Sequence, residues 1–151
     1  ENRPGFMQWV DVVDGSDGKF SDSNGRYDIV YAKTKRSQSN TKLRMNIAFN
    51  SRMTFEAFYQ PFNVDMNYED YYRLDEQNSF KTSSFNYSEN KNFEINNQRG
   101  TFVYRWEYQP GSLLYVVYNL NDNNYYSDQD GEWSQSKSNS LFLKFDYFFQ
   151  S

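Results

Sequence analysis

Residues 105–118 read RWEYQPGSLLYVVY. Just before and within this stretch, Phe102, Tyr104, Trp106 and Tyr108 recur at every second position, with Val103, Arg105 and Glu107 between them. Successive side chains of a strand leave opposite faces, so this period of two describes a strand with two different environments. Pro110-Gly111 ends the run. Pro fixes φ negative and does not suit the primed two-residue hairpin turns. The connection is therefore expected to carry an odd number of residues or a bulge. That register sends Leu114, Val116, Tyr118 and Leu120 to the same face as the rings.

The same alternation recurs outward from this hairpin. In 41–50, Leu43, Met45, Ile47 and Phe49 oppose Lys42, Arg44, Asn46 and Ala48. In 53–60, Met53, Phe55, Ala57 and Tyr59 oppose Thr54, Glu56 and Phe58. From Leu141 to Phe149, Leu141, Leu143, Phe145, Tyr147 and Phe149 oppose Phe142, Lys144, Asp146 and Phe148. The N-terminal part, 1–36, offers strands at Phe6 to Val13 and Arg26 to Lys35. The acidic, turn-like DGSDGKFSDSNG lies between them. Tyr68 to Leu74 and Phe80 to Tyr87 add a hairpin within the polar stretch 63–100. With these, about six to nine strands are expected.

The connections alternate in length. Asn50-Ser51-Arg52 and Gln109-Pro110-Gly111-Ser112 are tight, whereas 63–100 and 121–139 are long and polar, and both are expected as external loops. Short turns at one end and long loops at the other are the pattern of transmembrane β-barrels. The expected fold is all-β, an antiparallel up-and-down outer-membrane β-barrel domain over 1–151. It is either the C-terminal part of a larger barrel or a small barrel of about eight strands. The alternative is a soluble β-sandwich, whose inner faces alternate in the same way.

Composition bounds the chemistry. Of 151 residues, 14 are Phe and 14 Tyr, although mean hydropathy is −1.00. So many rings in so polar a chain argue against disorder and for strands with one wet and one apolar face. The net charge of −4 gives no basic footprint for nucleic acid. Cysteine and histidine are both absent, which excludes disulfides, thiol nucleophiles, Ser-His catalysis and His-ligated zinc. No apolar run reaches the roughly 18 residues of a membrane-spanning helix.

Candidate residues follow from the faces. Arg44 with Glu56, Arg105 with Glu107, and Lys144 with Asp146 are expected as an opposite-charge network lining a lumen. Phe55, Tyr59, Phe102, Tyr104, Trp106, Tyr108, Phe145, Tyr147 and Phe149 are expected to face lipid or form interfacial girdles. Tyr125, Tyr126 and Trp133 in the last loop suit contact with a glycan or a partner chain. Asp128, Asp130 and Glu132 carry the D-x-D-G core of a calcium loop, but the first ligand position of the full pattern falls on Tyr126. Calcium is thus a weak expectation, and otherwise no cofactor is expected. No carboxylate pair is singled out for glycoside hydrolysis.

RWEYQPGSLLYVVY also resembles a known family. The C-terminal barrel of the domain-of-unknown-function 5916 family carries a RWEY-x-PGS-x-L-[FY]-x-V-[WY] motif, which Arg105 to Tyr118 matches. The family usually ends that motif in Trp, where this chain has Tyr118. MTFEAFYQPF (Met53 to Phe62) resembles a second family segment. Asn92-Phe93 with Arg99-Gly100 is similar to its approach to the RWEY strand. Leu141 to Phe149 is similar to its last strand. The resemblance covers about Tyr27 to Ser151 and implies an outer-membrane location in a Gram-negative bacterium, with no assigned reaction. Family members usually carry an N-terminal module similar to carbohydrate-binding family nine, and nothing in this chain matches it. The resemblance thus implies the last part of a bigger barrel.

The expected role is a non-catalytic, membrane-embedded scaffold or pore of unassigned cargo. Outer-membrane lipid is its partner, with other outer-membrane or surface proteins and glycan as further candidates. A secreted glycan-binding β-sandwich and a strand-donating subunit of an outer-membrane assembly are the competing roles.

Overall fold

The computed structural model describes residues 2–149, with side chains from Met7 onward. The described residues are all β, as expected. Ten strands form one antiparallel sheet: β1 (Asn2–Asp14), β2 (Phe20–Asp22), β3 (Gly25–Asn40), β4 (Leu43–Asn50), β5 (Met53–Leu74), β6 (Thr82–Ser84), β7 (Phe93–Gln109), β8 (Ser112–Ser127), β9 (Glu132–Lys137) and β10 (Ser140–Asp146). The path of neighbours is β1-β3-β5-β7-β8-β10, an up-and-down order. The short β2 lies on β3, β4 and β6 on β5, and β9 on β8. A sandwich needs a second sheet to cover the first, and the described residues form only one.

Strand reaches further than the alternation indicated. β5 runs on to Leu74 and β7 starts at Phe93, so much of 63–100 is strand rather than loop. β8 continues to Ser127 and β9 starts at Glu132, which turns 121–139 into a hairpin. The last strand is shorter than expected. It stops at Asp146, because the Phe148 N–H leaves the ladder to bond the Ser112 hydroxyl at 2.9 Å.

The chain divides into two compact units. The first comprises Glu1–Gln38, Val64–Glu94 and Tyr126–Glu132; the second comprises Ser39–Asn63, Ile95–Tyr125 and Trp133–Ser151. The first has a conventional core. Val30 and Ala32 of β3 are 0% exposed, and Val64 and Met66 of β5 are buried with them. Asp28, only 5% exposed, shares that face of β3. It is satisfied by the Lys19 N–H at 2.9 Å and the Arg73 guanidinium at 3.5 Å, as a buried carboxylate requires. The N-terminal turn is well tied. Gly18 donates to the Gly15 carbonyl, and its own carbonyl accepts from the Arg26 side chain at 2.8 Å. It lies so close to β3 that a Cβ there would be 2.5 Å from the Tyr27 nitrogen.

The second unit is different. None of its described apolar side chains is buried, whereas many are well exposed, including Leu43, Met45, Phe49, Leu141, Leu143 and Phe145. Its fully buried side chain is a serine, Ser112, beneath the β7–β8 turn. There Gly111 takes φ +78°, the position after Pro110 that only glycine enters without strain.

Candidate functional site

Cross-strand partners fix the two faces of the second unit. Leu43 lies opposite Tyr59, Met45 opposite Ala57, and Ile47 opposite Phe55. Leu141 lies opposite Tyr118, Leu143 opposite Val116, and Phe145 opposite Leu114. The Phe102 ring stacks on Tyr118 at 6.1 Å, and the Thr101 hydroxyl donates to the Asn119 side chain at 3.0 Å. Both contacts require the odd register. Leu114, Val116 and Tyr118 therefore do share a face with the rings of β7. Leu43, Met45, Ala57, Tyr59 and Phe102 border one apolar hollow, so β4, β5 and β7 present the same face there. By alternation Tyr104, Trp106 and Tyr108 join it. The rings of Trp106 and Tyr108 meet edge-on, and the Tyr108 hydroxyl reaches the Asp146 carbonyl at 3.3 Å.

This face is continuous, apolar and uncovered. Leu43 is 56% exposed, Leu143 60% and Phe145 68%. Contiguous apolar surface of this kind marks contact with a protein, a ligand or a membrane. Tyr147 and Phe149, expected on the same strand, lie beyond its end with their rings in edge contact at 4.5 Å. Phe148 turns back over the hairpin: a Cβ on Gly111 would be 3.1 Å from it.

The opposite face is polar, but two of its three expected ion pairs do not form. Arg44 lies opposite Phe58 rather than Glu56, with its guanidinium over that ring at 5.6 Å. Glu107 turns to accept the Gly111 N–H at 2.9 Å, leaving Arg105 aside. Lys144 and Asp146 do pair, at 3.0 Å, with Lys144 lying over the Tyr115 ring. Register, rather than proximity in sequence, sets these partners. A hydrogen-bonded row, Thr101 to Asn119 to Ser140, crosses β7, β8 and β10 on this face.

In the first unit, sequence reasoning missed a polar knot. The segment 85–92 has no strand of its own and is strapped down by side chains. The Tyr87 hydroxyl donates to Asp11 of β1 at 2.6 Å, and Lys91 reaches Asp11 at 3.4 Å and Glu89 at 2.5 Å. Asn92 accepts the Tyr68 N–H, and its carbonyl accepts the Asp128 N–H. Burial alone would raise the Asp11 pKa, but hydrogen bonds from Tyr87 and Val12, with Lys91 alongside, hold it below the usual carboxylate value. Burial and the bond to Asp11 push Tyr87 up, while the pairing with Glu89, chiefly, raises Lys91. The segment, FNYSENKN, gives no sequence signal for this knot beyond its polarity, which any solvated loop shares.

The remaining candidates lie in strands or turns. Tyr125 and Tyr126 are on β8 and Trp133 on β9, in a hairpin instead of an open loop. Asp128 and Asp130 occupy the turn of that hairpin. The Asp128 carboxylate accepts from Asn90 at 2.9 Å, and no three potential metal ligands converge among the described residues.

Comparison with known families gives one match. The family model described as Domain of unknown function (DUF5916) matches residues 10–150. The chain belongs to this family. Comparison of the DUF5916 chain with curated proteins and with solved structures finds no match. No helix among its described residues is long and apolar enough to cross a membrane, which does not bear on crossing by strands.

Proposed function

We propose that this DUF5916 chain is a non-catalytic segment of an outer-membrane β-barrel in a Gram-negative bacterium, with the strands of the second unit meeting lipid. One observation carries the reading: the second unit buries no described apolar side chain, yet one whole face of its sheet is apolar. In water such a face is costly at about 25 cal/mol per Å². Against acyl chains it costs nothing, provided the backbone groups are paired within the sheet. The polar opposite face then lines a wet interior of unassigned cargo. The first unit has its own core and needs no lipid.

The sheet edges support a second element of this proposal. Among the described residues, β4 pairs with β5 alone and β10 with β8 alone. Edges cannot stay open in hydrocarbon, and outer-membrane barrels begin at about eight strands. Further strands, from the same polypeptide or from another outer-membrane protein, would complete the wall.

Lipid contact is tested with single-tryptophan variants of the full-length protein in vesicles of brominated phospholipid. Trp106 fluorescence is expected to be strongly quenched, Trp9 fluorescence little, and the protein should stay with membranes through alkaline extraction. A soluble monomer without detergent, or equal quenching at the two positions, would overturn the proposal.

A further inference from the structure

The polar face of the second unit holds a charge imbalance that the chain as a whole does not. Its cations are Arg44, Arg99, Arg105 and Lys144, and its acids are Glu56, Glu107 and Asp146. The chain is net −4, so this local excess of cations runs against its composition. Two of the three acids are already engaged, Asp146 by Lys144 and Glu107 by the Gly111 N–H. Among the described residues, no carboxylate lies within ion-pair distance of Arg44, Arg99 or Arg105.

Two adjoining hollows organise these groups along β5. One, of about 220 Å³, is lined by Gln60, Phe62, Asn97 and Arg99. The other, of about 280 Å³, has Arg44, Asn46, Glu56, Phe58 and Thr101 in its lining. Phe58, Gln60 and Phe62 alternate on one face, so the two rings are set about 13 Å apart along the strand. Both rings are half-buried, which holds them in place; Phe58 already carries the Arg44 guanidinium over one face, so a sugar stacking there meets the cation as well as the ring. The Asn97 carbonyl oxygen is committed to the Asn124 N–H, which orients its amide and leaves the NH₂ to donate elsewhere.

We propose that this face binds an acidic oligosaccharide, a chain of sugar rings carrying carboxylates. The apolar faces of sugar rings suit Phe58 and Phe62, and the carboxylates suit the planar guanidinium forks of Arg99 and Arg44. The amides of Asn97 and Gln60 match the hydroxyls between. The spacing of the rings calls for an oligomer longer than a single sugar. The site is separate from Tyr125, Tyr126 and Trp133, and it stands on the face away from the apolar one, so it does not depend on lipid contact.

Calorimetric titration of the full-length protein in detergent micelles with tri-galacturonate, a neutral trisaccharide and sodium acetate tests this. Tri-galacturonate is expected to bind, the neutral sugar at least about tenfold more weakly, and acetate at equal concentration not to compete. Arg99→Gln and Arg44→Gln are each expected to weaken binding about tenfold, as losing a hydrogen bond to a charged group does. Arg99→Lys should recover only part of that loss, and Phe62→Leu, which keeps bulk without a ring, should weaken it several-fold. Lys137→Gln should leave it unchanged. Equal affinity for acidic and neutral sugars, competition by acetate alone, absence of binding, or indifference to both arginine changes would overturn the proposal. Membrane extraction of the same preparations reports on lipid contact separately, so either idea can fail without the other.

Discussion

Leu143 and Phe142 are neighbours on β10 with nearly equal exposure, 60% and 58%, but they point to opposite faces. Leu143 stands beside Val116 in the apolar band, and Phe142 beside Val117 on the face that carries Lys144. Replacing each in turn by Lys separates exposure from solvent. If both faces meet water, each change is a surface substitution within about 0.5 kcal/mol of neutral. If the Leu143 face meets acyl chains, Leu143→Lys near the middle of a seven-residue strand is expected to cost about 2–4 kcal/mol. That is roughly a thirty- to nine-hundred-fold drop in the folded-to-unfolded ratio. Phe142→Lys should stay within about 1 kcal/mol of neutral, because a lysine on a polar face keeps its hydration. The assay is reversible guanidinium unfolding of the full-length protein in phospholipid vesicles, followed by tryptophan emission and by the mobility of unheated samples on gels. Equal costs for the two variants, to within about 0.5 kcal/mol, would refute the assignment of faces to solvents.

Three further outcomes are expected. Gly18→Ala places a methyl group 2.5 Å from the Tyr27 backbone nitrogen, so it should destabilise the N-terminal turn by about 1–3 kcal/mol, seen as faster proteolysis around residues 15–20. Gly111→Ala must adopt φ +78° and push Phe148 aside; a loss of about 1–2 kcal/mol is expected, with earlier exchange of the Phe148 amide. The strap at 85–92 should respond to acid. Asp11 is held below its ordinary value of 3.8, so its contribution is present above that value and is lost as pH falls through the lowered one. Protection of the Asp128 amide, whose N–H bonds to Asn92, relative to its intrinsic exchange rate should therefore fall as pH drops below about 4 and stay constant between pH 6 and 9. Tyr87→Phe should reproduce part of that loosening at neutral pH, at about 1 kcal/mol, since Asp11 is partly solvated.

Alternation carried the sequence reading wherever one face had to be apolar. β4, the start of β5, the end of β7 and the body of β10 were all visible for that reason, and so was the odd register beyond Pro110-Gly111. The signal faded where a strand has no such demand. From Asn63 to Leu74, β5 carries Asn, Asp, Glu and Tyr, and Val64 and Met66 alone mark a buried side. Asn and Asp are poor strand formers by composition, so 63–67 read as loop and Tyr68 to Leu74 only as part of a separate hairpin, although tertiary pairing keeps the whole segment extended. The second half of β8, NDNNYYS, fails for the same reason. Partners on the polar face were less legible than the face itself. Arg44 and Glu56 have opposite charges on adjacent strands, but a stagger of two residues gives Arg44 a ring instead. The strap could not be read at all, since its ties run from Tyr87 to Asp11, 76 positions away in the chain.

The two uncovered edges of the second unit have a consequence for any copy held in water apart from whatever completes its sheet. β4 and β10 are different sequences on different strands, so β10 of one copy meets β4 of the next head to tail. A head-to-tail contact closes into a ring only when its rotation happens to return on itself, and otherwise it keeps adding copies. The geometry that suits these strands to a continuous wall thus makes an isolated segment a seed for ribbons, and capping a single edge is enough to stop their growth.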